Sequence, residues 1–188
     1  MQTKKKPLFT VREMVFTAIC AAIICVLAPI SVPINPAVPI SLGTLAIYFT
    51  SAILGGKRAT FAVLVYILMG FVGLPVFTGM SGGAAKLFGT TGGYIIGYIP
   101  LALLTGIFSD MKSRLHWTMP VGMVLGTAVM YTFGTVWFMI LSGYPLTAAL
   151  DLCVKPFLVF DSIKIVLSTL LAVPLREKLG KIMSGRAE

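Results

Sequence analysis

Charge is scarce in this sequence. Charged side chains make up 11% of the 188 residues, with only 6 Asp and Glu among them; a soluble domain carries about 25%. A soluble fold of this size still exposes roughly a quarter to a third of the surface of its unfolded chain, and this sequence has too little polar material to cover it. The scarcity excludes a cytosolic enzyme and a disordered chain. There is 1 histidine, His116, which leaves no basis for a His-based metal site or proton relay. The 3 cysteines, Cys20, Cys25 and Cys153, lack metal-ligand spacing and are too few for a disulfide scaffold, so they read as packing residues. No glycine-rich segment follows a strand pattern, so no phosphate-binding or dinucleotide loop is expected.

What the chain has instead is apolar length: 57% hydrophobic residues and a mean hydropathy of +0.97. Helices satisfy their own backbone polar groups in lipid, so an all-α integral membrane protein is expected. Apolar runs of about 17–25 residues can cross a bilayer. Six are read, at 14–30, 40–54, 59–74, 92–108, 118–141 and 156–173, the second being short; together they form a single membrane domain over 1–188. The breaks fall at the proline-rich 31–39, the charged glycine turn 55–58, the glycine-rich 75–91, the polar 109–116 and the segment 142–155, which opens with Ser-Gly-Tyr-Pro.

Six spans sort the positive charges. Lys4, Lys5, Lys6, Arg12, Lys57, Arg58, Lys112, Arg114, Arg176, Lys178, Lys181 and Arg186 fall on one side. Lys86 and Lys155 fall on the other, and Lys164 lies inside the last span. Basic residues accumulate on the cytoplasmic side, so both termini are expected in the cytoplasm of a multi-pass, prokaryotic-type plasma membrane protein. The excess of +9 thereby reports topology and headgroup contact, and no nucleic-acid partner is expected.

Ionisable residues within a span are costly and point to function. Asp161 and Lys164 are the two, three residues apart on one face of the sixth helix. A carboxylate offers only acceptors and an ammonium only donors, which suits a ligand with both N–H and C=O groups. A second candidate region is the long outer segment, where Gly79, Gly82, Gly83, Gly92 and Gly93 let backbone approach a ligand. Phe77, Phe88 and Tyr94 offer apolar walls there. The competing reading makes the Asp–Lys pair a tolerated internal ion pair and the glycines mere packing. Gly122-x-x-x-Gly126, Gly89-x-x-x-Gly93-x-x-x-Gly97 and Ala18-x-x-x-Ala22 permit close helix approach, by default within the bundle.

VPINPAVPISLGTL (32–45), YILMGFVGLPVF (66–77), GMSGG (79–83), FGTTGGYIIGY (88–98) and PFLVFDSIK (156–164) together resemble the BioY family, the biotin-specific S components of energy-coupling factor (ECF) transporters. The resemblance runs through the whole chain. It implies a six-helix S-component fold that captures biotin from outside and docks on a transmembrane coupling subunit carrying two cytosolic ATPases, with no cofactor and no metal. It implies a biotin site of Asp161, Lys164, Tyr94, Gly93, Gly92, Thr91, Phe77, Gly79, Gly82, Gly83, Lys86 and Asn35. Asp161 would accept from a ureido N–H, Lys164 would donate to the ureido oxygen or the carboxylate, and Lys86 would meet the tail carboxylate. Ala18 and Ala22 match the docking motif of S components. The alternatives are an S component or carrier for a flavin or thiamin, and a membrane enzyme, for which no nucleophile–base constellation is present.

Overall fold

The computed structural model describes residues 10–33, 38–111 and 115–183. The chain is mostly helical: α1 (Val11–Leu27), α2 (Gly43–Leu54), α3 (Gly56–Phe71), α4 (Ala84–Leu87), α5 (Gly92–Asp110), α6 (Leu115–Ser142), α7 (Leu146–Cys153) and α8 (Lys155–Met183). Two short strands, β1 (Ser31–Val32) and β2 (Ile40–Ser41), pair antiparallel between α1 and α2.

Six of these helices coincide with the expected apolar runs, with shifted ends. α2 begins at Gly43 rather than at residue 40, because Ile40 and Ser41 are held in the hairpin. α8 runs well past residue 173 and carries Pro174 inside it. The stretch 142–155, expected as a break, contains the eight-residue α7. Among the described residues, three helical stretches are long and apolar enough to cross a membrane, at Gly92–Asp110, Trp117–Ser142 and Leu146–Arg176; α2 is apolar but shorter. At 1.5 Å per residue its 12 residues span about 18 Å, less than the ~30 Å of a hydrocarbon core.

Small residues set the packing. α5 lies along α6, and also contacts α3 and α2; α8 packs on α2 and α6, and α1 on α3 and α2. On the α5–α6 seam a side chain at Gly93 would strike Trp137, one at Gly97 would crowd Met130, and one at Gly122 would strike Phe108. The small-residue spacings at these positions therefore serve internal packing.

α1 starts with a capping box. The Thr10 N–H donates to Glu13 (2.8 Å) and the Glu13 N–H donates to the Thr10 hydroxyl (3.3 Å). The Thr10 N–H and, to a lesser degree, the Arg58 guanidinium hold the Glu13 carboxyl below its ordinary range.

Beside this start, Asp110 closes one end of the bundle. It accepts from the Gly56 N–H (3.0 Å) and from Arg176, which also donates to the Ala52 carbonyl. The approach requires glycine at Gly55, whose φ is +82° and where a Cβ would lie 2.3 Å from Asp110 Oδ1. Gly55→Ala is therefore expected to destabilise the protein by about 1–3 kcal/mol, read as a lower unfolding midpoint in detergent. An unchanged midpoint would show that the clasp yields without cost.

Candidate functional site

The site is built where α2, α5, α6 and α8 converge, at the end of the bundle away from Asp110. A cavity opens there between these helices. Asp161 and Lys164 lie in its lining and are 3% and 8% exposed, so both are buried. Three residues apart on α8, they share a helix face and meet at 3.0 Å.

Each donor of the ammonium has an acceptor within the protein. Lys164 Nζ donates to the Ser41 carbonyl (2.8 Å), to Thr44 Oγ1 (2.8 Å) and to Asp161 Oδ1 (3.0 Å). The Thr44 hydroxyl donates in turn to Asp161 Oδ1 (3.2 Å), and the Tyr131 hydroxyl donates to Asp161 Oδ2 (2.6 Å). The hairpin is what brings the Ser41 carbonyl to the lysine. Ser41 Oγ also accepts from the Gly43 N–H at the head of α2, which fixes the path into Thr44. A buried charge pair is tolerable only with its remaining valences satisfied, and here three neighbouring groups supply that.

Around this polar floor stand Tyr94, Ile95 and Tyr98 of α5, Met130 and Tyr131 of α6, Cys153 of α7, and Phe157 of α8. Tyr94 hydrogen-bonds Thr135 (3.0 Å). Thr78, Lys86 and Thr91 line the cavity from the glycine-rich segment, and Val38 and Pro39 from the hairpin. Lys86 is half-buried. The result is a polar floor, aromatic and aliphatic sides, and a cationic side chain from α4. That combination holds an amphipathic small molecule with a polar head and an anionic tail.

Of the residues expected from sequence, Asp161, Lys164, Tyr94, Thr91 and Lys86 line this cavity together. Phe77 does not: it is fully buried, its ring fills the space over Gly70, and it meets Tyr66 edge-on at 5.5 Å. Gly92 and Gly93 are helix-packing positions, since a Cβ would strike the Leu87 carbonyl or the Trp137 side chain. Gly82 lies against the Leu74 carbonyl, while Gly79 and Gly83 are positive-φ turn residues facing open space. Asn35 lies outside the described residues, as do Lys4, Lys5, Lys6, Lys112, Arg114 and Arg186 from the charge argument.

Sequence reasoning missed Ser41, Thr44, Tyr98 and Tyr131. A signal existed for the last two. Tyr98 follows Tyr94 by one helical turn, and Thr127, Tyr131 and Thr135 recur every fourth residue on α6 as a polar stripe in an apolar helix.

Ala18 and Ala22 lie elsewhere. Both are exposed on α1, in a stripe with Val11, Val15 and Val26, while Cys20, Ala21 and Ile24 face the bundle.

The BioY family model matches residues 1–181. A biotin transporter BioY of Thermotoga maritima is 36% identical over 166 residues, covering 88% of this chain and 96% of that protein. A biotin transporter BioY2 of Lactococcus lactis subsp. cremoris is 35% identical, covering 87% of this chain and 89% of that one. Among solved structures, the crystal structure of the S-component for biotin from an ECF-type ABC transporter superposes with a TM-score of 0.81 at 29% identity, over 94% of this chain and 95% of that one.

Proposed function

The chain belongs to the BioY family, and from that membership we propose that it is the biotin-binding membrane subunit of an ECF-type transporter. It is a multi-pass membrane protein and a transport subunit rather than an enzyme. The observation that carries the ligand reading is the buried Asp161–Lys164 pair at the floor of a cavity walled by Tyr94, Tyr98, Tyr131 and Phe157. Biotin has a ureido head with two N–H donors and one carbonyl, an apolar thiophane ring and a carboxylated tail. Asp161 receives a ureido N–H. Ile95, Met130 and Phe157 pack on the thiophane ring. Lys86, with Thr78 and Thr91, meets the tail carboxylate. Lys164 reaches the ligand only by exchanging one of its three present acceptors.

In this reading the six longer helices form one membrane domain with both termini in the cytoplasm, as the distribution of basic residues supports. The biotin cavity then opens outward and the Asp110–Arg176 clasp lies inward. No cofactor or metal is needed. The stripe of small side chains at Ala18 and Ala22 docks the coupling subunit, and two ATPases bound to that subunit supply the energy. Mass analysis of small molecules released from protein purified from biotin-containing medium is expected to show biotin, displaced by added biotin and not by riboflavin or thiamin. Release of a different vitamin would overturn the ligand assignment.

A further inference from the structure

Resting on the biotin reading, we propose that Tyr131 is a positioning residue that sets ligand specificity: it holds Asp161 so that one acceptor position on Oδ2 faces a single ligand N–H. A carboxylate has about four acceptor positions. Oδ1 receives Lys164 (3.0 Å) and Thr44 (3.2 Å), and Oδ2 receives Tyr131 (2.6 Å). One position is left, on Oδ2, beside the cavity. The donors are spent as well. Lys164 has an acceptor for each of its three protons, and the single protons of Thr44 and Tyr131 both go to Asp161. The cluster therefore presents an acceptor and no spare donor. A group offering N–H fits it; a group offering only lone pairs, or a methyl in place of the hydrogen, leaves the carboxylate oxygen unpaired.

Tyr131 is the partner that fixes this acceptor from outside the α2–α8 pair. It is itself buried and sits in the middle of the α6 stripe. Thr127, one turn before it, bonds Tyr48 of α2 (2.5 Å), and Thr135, one turn after it, bonds Tyr94 of α5 (3.0 Å). The stripe thus ties three helices to one, and its central rung sets where Asp161 stands relative to the aromatic wall.

The test compares biotin with analogues methylated at one or the other ureido nitrogen, titrated into membranes carrying wild-type protein or Tyr131→Phe. Ratios of affinities do not depend on how much folded protein each membrane holds. The wild type is expected to penalise one methylated analogue by about 100-fold or more. Tyr131→Phe is expected to bind biotin about 10-fold to 100-fold more weakly and to shrink that penalty about tenfold, because the carboxylate is no longer held on the N–H. Tyr66→Phe, which removes a buried hydroxyl with no hydrogen-bond partner outside the cavity, is expected to leave both numbers unchanged. An equal loss for all ligands in Tyr131→Phe would mean a structural role only and overturn the proposal, as would unchanged biotin affinity. Failure of the wild type to bind biotin would remove the biotin reading and this proposal together.

Discussion

Asp161→Asn is expected to weaken biotin binding by about tenfold to over 100-fold in protein that still elutes as a folded species in detergent. The amide keeps the shape of the carboxylate, so packing on α8 is little disturbed. Its hydrogen bonding differs at one end, where an acceptor becomes a donor. Three donors now converge on the carboxylate, from Lys164, Thr44 and Tyr131. With its NH2 at the Oδ1 position the amide faces both Lys164 and Thr44 and loses their hydrogen bonds; with its NH2 at the Oδ2 position it turns the Tyr131 hydroxyl from donor to acceptor and removes the acceptor left for the ligand. The ligand also loses a charge-assisted acceptor, a bond worth about 1.5–3 kcal/mol, or roughly tenfold to over 100-fold in affinity. Loss of the negative charge leaves Lys164 buried without its counter-charge, which costs stability as well, so a lower unfolding midpoint accompanies the lost affinity. Unchanged biotin affinity in Asp161→Asn would remove Asp161 from the site.

Ala18→Trp is expected to abolish biotin uptake in cells while leaving biotin affinity at the wild-type value. Ala18 and Ala22 are exposed, and the inward face of α1 is carried by Cys20, Ala21 and Ile24. A large side chain at Ala18 therefore meets no part of the bundle, and the cavity, lined by other elements, is untouched. What it removes is the flatness of the stripe. Helices in lipid gain their association from close backbone approach and van der Waals packing, for which small residues are needed. An indole ring on that stripe holds a partner helix several ångströms away. Uptake at the wild-type level, or undiminished co-purification with the coupling subunit, would place the docking face elsewhere.

The long helices were legible because apolar length has few other uses in a chain this poor in charge. Their ends were less so. Ile40 and Ser41 read as the start of a span because they continue an apolar run, yet they pair as a strand with Val32 and Ser31. α7 hid behind Gly143 and Pro145, since a helix of eight residues leaves only two turns of pattern.

The site shows the same division. Asp161 and Lys164 were conspicuous because charges in a span are rare. Thr44 and Tyr131 were not, because hydroxyls within helices often bond their own backbone, as Thr60 and Ser162 do here. Only the crossing of α6 over α8 gives the Tyr131 hydroxyl its carboxylate partner. Gly92 and Gly93 illustrate the reverse: a glycine that admits a ligand and one that admits a neighbouring element are the same letter, and their contacts with Leu87 and Trp137 become visible only in three dimensions.

This chain is expected to bind biotin by itself, at the Asp161 cavity. Calorimetric titration of the purified protein with biotin, without partner subunits and without ATP, tests it most directly. The expected result is saturable binding of one biotin per chain, micromolar or tighter, unaffected by ATP and strongly weakened in Asp161→Asn. Folded protein that gives no saturable signal with biotin would exclude biotin as the ligand, and equal binding without the Asp161 carboxylate would place the site elsewhere.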